Sequence, residues 1–386
     1  MAGLRIGLIG TGFIGRSHAI ALSAVGTVFD DVEPPVLELV ADVDEPRAAA
    51  ARRALGFRRA TSDWRALIAD PDVDIVDVCT PNHLHREMVL TALAAGKHVY
   101  CEKPLALAAP EAAEMAEAAD RAGITHLVGF NFPCNPILQT VREMLAADEI
   151  GELIGFRGRY LEDYLADPAV PFTWRCERRL AGPGALADLG SHLINLGHVL
   201  VGDLARLNAS LHTVIRERIE PATGRARRVE NEDVAYALVE FVNGVPGSFE
   251  ISRVAAGYKH GLAVRIFGTR GSLSYDQERF NELRVYRNDD PAGRRGFRTI
   301  LAGPEHTDYR PFCPAPGHGL GINDLKVIET RNLLRAIAAG ERVQPDFHEG
   351  ARVQYVMDMF ERSNAERAWV TLEPRAARSS HVRSAG

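Results

Sequence analysis

The chain lacks the residues that would place it in several functional classes. It has five cysteines in 386 residues, Cys79, Cys101, Cys134, Cys176 and Cys313, and no C-x-x-C spacing. An odd, scattered set argues against a disulfide framework or a cysteine zinc site and fits a reducing compartment. Positive charge is not in excess. The formal net charge is −6, so the basic footprint of a nucleic-acid binder is missing. No apolar run is long enough to cross a bilayer, so no membrane partner is expected. The N-terminus leads straight into an apolar segment with no room for a signal peptide, so a cytoplasmic protein is expected. Internal repeats are missing too. The rest is ordinary for a globular protein: 46% hydrophobic and 25% charged residues, in a chain long enough for two domains.

The first informative stretch is at the start. Residues 4–9 are mostly apolar and read as a buried strand. Gly10-Thr11-Gly12-Phe13-Ile14-Gly15 follows, and residues 13–25 read as a helix. G-x-G-x-x-G between a strand and a helix is the arrangement that binds a dinucleotide. Gly10 permits the tight turn, Gly12 lets a pyrophosphate approach the backbone, and Gly15 lets the helix pack close to the strand. Phe13 and Ile14 open the helix, whose free N–H groups face the phosphates. A second strand, 36–41, ends at Asp42. An acid at this strand end accepts hydrogen bonds from the ribose hydroxyls and repels a 2′-phosphate, which favours NAD over NADP. A loop at 26–35 accounts for its lying further from Gly15 than usual.

Strands and helices then alternate. Helices are expected over 45–55 and 63–69 (the latter capped by Ser62) and over 109–122. Strands are expected at 74–79, 97–101 and 125–130. Thr80-Pro81-Asn82-His83-Leu84-His85 opens another helix, and Glu102-Lys103-Pro104 follows a strand end. This alternation means a doubly wound parallel sheet, in which ligands bind beyond the carboxyl ends of the strands. The pattern changes after about residue 131. A helix at 136–147, a strand at 153–164 and a helix at 185–201 precede strands at 205–215, 233–241, 247–254, 262–267, 272–275 and 283–286. They suggest a mixed or antiparallel sheet. Residues 287–317 read as a long loop, 322–339 and 350–368 as helices, and 373–386 as a flexible tail. The expected fold class is α/β: an N-terminal Rossmann domain over 1–131, and a C-terminal α/β domain with a large open mixed sheet over 132–372.

Two constellations carry chemistry. Lys103 sits past a strand end, and Pro104 biases it toward extended geometry that points into the cleft. Asp188 and His192 are four apart on an expected helix and share a face. An acid beside an imidazole can fix its tautomer and stabilise its charged form. His83 and His85, two apart, do not face the same way on a helix, and no metal is expected. By position, Pro81, Asn82 and His85 border the nicotinamide ribose, with Thr80, Glu102 and Asn131 on the same cofactor side.

Taken together and in order, the glycine loop, Cys79-Thr80-Pro81-Asn82-His83-Leu84-His85, Glu102-Lys103-Pro104 and Asp188-Leu189-Gly190-Ser191-His192 resemble the Gfo/Idh/MocA family. It is named for glucose–fructose oxidoreductase, inositol dehydrogenase and the rhizopine catabolism protein. The resemblance implies NAD(P)-dependent oxidation or reduction of sugars and cyclic polyols, and a C-terminal open sheet that often makes oligomer contacts. It implies Lys103 as the catalytic lysine and Asp188 and His192 as the acid–histidine pair. Many members carry an acid three residues after the histidine; here that position is Asn195, expected as a weak substrate contact. The stretch Tyr160-Leu161-Glu162-Asp163-Tyr164, with Trp174-Arg175, is similar to the levoglucosan dehydrogenase-like branch, which oxidises a pyranose hydroxyl at C3. Asp163, Trp174 and Arg175 are therefore expected at the substrate.

The expectation is an NAD-dependent dehydrogenase, a homodimer or homotetramer, acting on a ring hydroxyl of a sugar, anhydrosugar or cyclic polyol. Either His192 or Lys103 accepts the proton. An inositol-type dehydrogenase, an NAD-using glycoside hydrolase of the same fold and a non-catalytic NAD/sugar sensor remain alternatives at this point.

Overall fold

The structure is a computed structural model that describes residues 3–374. Most of the expected tail, residues 375–386, lies outside the described residues. Six parallel strands form the first sheet: β1 (Arg5–Ile9), β2 (Val36–Ala41), β3 (Arg59–Thr61), β4 (Ile75–Val78), β5 (His98–Cys101) and β6 (His126–Val128). Their order is 3-2-1-4-5-6. The helices α1 (Phe13–Val28), α2 (Glu45–Leu55), α3 (Trp64–Ala69), α4 (His85–Ala94) and α5 (Ala109–Ala122) connect them. Strand order reverses between β1 and β4, and such a switch point opens a crevice for a ligand. The glycine loop leaves β1 on one side of it, and the Thr80–His85 segment leaves β4 on the other.

The second half builds a nine-stranded sheet. After α6 (Pro136–Ala146) come β7 (Leu153–Leu161), α7 (Arg178–Ala181), α8 (Ser191–Leu200) and β8 (Leu204–His212). A small hairpin, β9 (Glu217–Ile219) with β10 (Ala226–Arg228), stands apart. Then follow β11 (Val234–Phe241), β12 (Pro246–Ser252), β13 (Gly261–Gly268), β14 (Gly271–Asp276), β15 (Glu282–Arg287) and β16 (Arg298–Leu301). Helices α9 (Ile322–Ala339) and α10 (Phe347–Glu366) and the short β17 (Val370–Thr371) close the chain. The order is 16-15-14-13-7-12-11-8-17, antiparallel except for the β7–β12 pair. One face carries α8 and α10; the other leaves Tyr236 and Leu238 exposed. The main apolar cluster runs through both halves, from Ile6 in β1 to Val370 in β17, with two small clusters beside it, around Leu8 and Val40 and around Leu165 and Cys176.

Several local expectations are corrected. Helix α3 is capped by Asp63, which accepts from the Arg65 N–H at 2.9 Å. Ser62 instead donates its hydroxyl to Glu45 at 2.7 Å. Strand β8 stops at His212, because the Val214 and Ile215 N–H groups turn to the Asp233 carboxylate, at 2.8 and 2.9 Å. The expected long loop holds β16, which pairs with β15. The helix expected over 185–201 is not uniform: Leu186–Gly190 is a π turn that leads into α8. Such wide turns are frequent at functional sites.

Candidate active site

A cleft of about 1220 Å³ runs along the carboxyl ends of the first sheet and under β7. Its outer end is bordered by Asp42, Val43 and Trp64, its middle by the glycine loop and Thr80, Pro81 and Asn82. Its inner end is bordered by Lys103, Asn131, Phe132, Trp174, Arg175, Asp188 and His192. Most of the residues expected from sequence thus meet in one space.

The three glycines differ in what surrounds them. Gly10 has φ +93°, in the region that favours glycine. A Cβ at Gly15 would lie 2.0 Å from the Gly10 carbonyl oxygen, so Gly15 packs α1 against the loop rather than facing the cleft. A Cβ at Gly12 would meet nothing within 4 Å. The backbone there is bare toward the cleft. Helix α1 begins at Phe13 with no side-chain cap and no acid in its first turn. These open N–H groups fit a pyrophosphate. At the outer end, Asp42 accepts from the Thr11 N–H at 3.1 Å, from the Thr11 hydroxyl and from the Val43 N–H at 2.7 Å. Burial opposes its charge, yet these donors hold the carboxyl below its ordinary range.

At the inner end Lys103 and Asp188 lock together. Lys103 Nζ donates to the Asp188 carbonyl oxygen at 2.6 Å and to its carboxylate at 3.1 Å. The other carboxylate oxygen accepts from the Tyr164 hydroxyl at 2.7 Å and faces Arg175 Nε at 3.6 Å. Burial alone would raise the Asp188 carboxyl; Lys103, Arg175 and Tyr164 outweigh it and pull it well below the carboxylate range. His192 is not paired with Asp188, which corrects the expected acid–histidine contact. Both carboxylate oxygens already have partners, and the imidazole lies against Phe132, ring centroids 4.3 Å apart. Its Nδ1 is buried without a partner. Burial, then the Lys103 charge, push its pKa well below the usual histidine value, so the ring is neutral.

Three further expectations change. His85 does not border the cleft. It is fully buried, with Nδ1 2.9 Å from the Pro104 carbonyl oxygen and Nε2 2.9 Å from that of Thr80, and so ties together the two loops that carry Thr80 and Lys103. Asn195, on α8, is buried against α10, where its amide donates to Glu349 at 3.0 Å. Asp163 points to Lys259 Nζ at 2.7 Å, and it is Lys259 that borders the cleft. His18, Asp77 and Cys79 lie close enough to share an ion. Both nitrogens of His18, however, sit 2.9 Å from carboxylate oxygens, of Asp77 and Glu102. A ring that donates to both has no lone pair for a metal.

The sequence reading missed Tyr164 as the partner of Asp188, and Glu162, Lys259 and His260 at the inner end. A signal existed for two of them. Phe156, Gly158 and Tyr160 face the core on β7, and Glu162 and Tyr164 continue that parity past the strand. Nothing local marks His260, whose Nδ1 lies 3.1 Å from Glu162.

Comparison with known proteins places this geometry. Residues 4–130 match the Gfo/Idh/MocA oxidoreductase family, NAD-binding Rossmann fold, and residues 138–274 match the C-terminal domain of the same family. Levoglucosan dehydrogenase of Pseudarthrobacter phenanthrenivorans is 38% identical over 383 residues, 96% of this chain and 98% of that protein. Myo-inositol 2-dehydrogenase of Thermotoga maritima is 31% identical over 77% of this chain and 81% of its own. A solved structure of levoglucosan dehydrogenase in complex with NADH and levoglucosan superposes with a TM-score of 0.93 at 39% identity, covering 96% of this chain and 99% of that one. The chain belongs to the Gfo/Idh/MocA family of oxidoreductases.

Proposed function

We propose that this protein is an NAD-dependent dehydrogenase that oxidises a ring hydroxyl of a sugar, anhydrosugar or cyclic polyol, with levoglucosan oxidised at C3 as the preferred substrate. The observation that carries the reading is Lys103, held by Asp188 beside a neutral His192, in the same cleft as the bare glycine loop. The likeness to levoglucosan dehydrogenase along almost the whole chain supports the substrate.

Bound NAD supplies the hydride acceptor. The N–H groups around Gly12 and the start of α1 hold its diphosphate, and Asp42 takes the ribose hydroxyls and disfavours a 2′-phosphate. Lys103 directs two of its three N–H bonds at Asp188, and the third is free for the substrate oxygen. Its charge stabilises the negative charge that develops there. The neutral imidazole of His192 accepts the hydroxyl proton. Asp188, braced by Tyr164, orients Lys103. Trp174, with the Arg175 guanidinium 4.7 Å from its ring centroid, offers an aromatic face to the C–H side of a pyranose. The face of the large sheet that exposes Tyr236 and Leu238 is read as the homo-oligomer contact, and the free cysteines fit a cytoplasmic location.

A screen of NADH formation over levoglucosan, glucose, other pyranoses and inositols tests the reading. Levoglucosan is expected to give the highest kcat/KM. Lys103→Met is expected to lower kcat by roughly a thousandfold while NADH binding, followed by fluorescence, stays close to wild type. No NADH from any of these compounds overturns the reading.

A further inference from the structure

A chain of buried charges lies under the inner end of the cleft. His18, on α1, places Nδ1 2.9 Å from Asp77 and Nε2 2.9 Å from Glu102. Glu102 Oε1 also accepts from Lys326 Nζ at 2.5 Å, and its Oε2 accepts from the Lys103 N–H at 3.2 Å. Lys326, on α9, donates as well to Glu329 at 2.9 Å and to the Tyr100 hydroxyl at 3.3 Å. All six side chains are at least nine-tenths buried. Replacing a buried ionic cluster by apolar residues is often neutral or stabilising, so stability alone does not explain this one.

Gly129 shows what the pair faces. A Cβ at residue 129 would lie 2.4 Å from Glu102 Oε1 and 3.1 Å from Lys326 Nζ. The ion pair fills the space a side chain would need, and Gly129, Glu102 and Lys326 all border the cleft. Glu102 directly precedes Lys103, and His18 follows the glycine loop by one helical turn. The pair therefore sits at the boundary between the dinucleotide site and the reacting groups.

An oxidised nicotinamide carries a positive charge, and its reduced form does not. A fixed charge in the wall near it discriminates between the two. We propose that Lys326, by neutralising Glu102, sets the charge of the cleft floor and with it the relative affinity of this protein for NAD⁺ and NADH. The proposal rests on the reading of the cleft as an NAD site. Lys326 is a positioning and charge-setting residue that acts through Glu102, not a catalytic one.

The test is the ratio of two dissociation constants. NAD⁺ and NADH are titrated separately, by protein fluorescence, into the full-length wild type, Lys326→Met, Lys326→Arg and the double variant Lys326→Met with Glu102→Gln. Methionine keeps the apolar stem and removes the charge. One uncompensated charge at roughly six to eight ångströms, at a dielectric near 20, corresponds to about a thirty- to hundredfold change. Lys326→Met is expected to shift the ratio toward NAD⁺ by about that factor. Arginine and the double variant are expected to return it near wild type. A loss of packing weakens both ligands in parallel, and that result, or an unchanged ratio, overturns the proposal. If Lys326→Met does not fold, Glu102→Gln alone decides: the ratio shifts toward NADH, or the proposal fails. A wild type that binds neither dinucleotide overturns the functional reading as well; a wild type that binds both while the variants keep its ratio overturns only the role of Lys326.

Discussion

Lys103 has three ammonium hydrogens and directs two of them at one residue, the Asp188 carbonyl oxygen and carboxylate. That leaves the position of its third hydrogen dependent on how firmly Asp188 is held, and Tyr164 holds it at 2.7 Å. Tyr164→Phe removes a charge-assisted hydrogen bond worth about 1.5 kcal/mol or more. The expected result is a fall in kcat of roughly tenfold with KM little changed, because the loss concerns the lysine proposed to meet the transition state rather than the proposed substrate contacts. An unchanged kcat would mean that Lys103 and Arg175 suffice to hold the acid. The pH profile separates the two candidate proton acceptors. Burial and the Lys103 charge depress the His192 pKa, so this imidazole remains a base below the ordinary histidine value of 6.5. If His192 takes the proton, kcat/KM stays level through pH 6.5 and falls only at lower pH; an acid limb at or above 6.5 assigns the proton to another group. Lys103, Asp188 and His192 were legible as residue types at telling spacings. The partnership of Asp188 with Tyr164 instead of His192 was not, because it depends on which way two side chains turn in a packed site. Asn195 and His85 were misread for the same reason: a polar residue on a helix reads as a contact until its burial is known.

Among the elements, the glycine loop shows how neighbouring positions of one residue type do different work. Gly15→Ala places a methyl group 2.0 Å from the Gly10 carbonyl oxygen, so α1 must move off the loop. A destabilisation of about 2 kcal/mol or more is expected, read as a lower melting temperature. Gly12→Ala meets nothing in the folded chain, and its φ of −66° suits alanine. It is expected to melt like the wild type and to lose affinity for NAD⁺ in a titration, since its methyl group covers the bare backbone proposed to hold the diphosphate. Equal melting behaviour of the two variants would refute this division. The first sheet and its helices were legible because period and glycine placement agree over long stretches. What escaped was short or set from a distance. Strand β3 has three residues, β16 forms only by pairing with β15, and β8 ends where a carboxylate far along the chain captures its N–H groups. The π turn at Leu186–Gly190 leaves the apolar pattern of a helix intact and so gives no signal in the sequence.

At the scale of the whole molecule, the end of the chain completes the beginning. Helix α9 packs on α1, with the Arg331 guanidinium 2.5 Å from Asp31 and 4.5 Å from the Phe29 ring centroid. Helix α10 covers α5 and β6. Lys326 reaches Glu102 from α9, so the charge beside Lys103 is balanced only when residues more than two hundred positions apart have met. Sequence reading divides the chain near residue 131 because the strand–helix alternation stops there, and that break in pattern is real. It does not separate two cores, since one apolar cluster spans both halves. A fragment of residues 1–131 therefore lacks α9 and α10, which cover its α1 and α5, and leaves Glu102 and His18 without Lys326. The fragment is expected to show no cooperative thermal transition and no binding of NAD⁺, whereas the full chain shows both. Circular dichroism on heating and a dinucleotide titration check this. A fragment that melts sharply and binds would mean that the glycine-loop sheet stands alone, and that α9 adds charge to the site without holding it together.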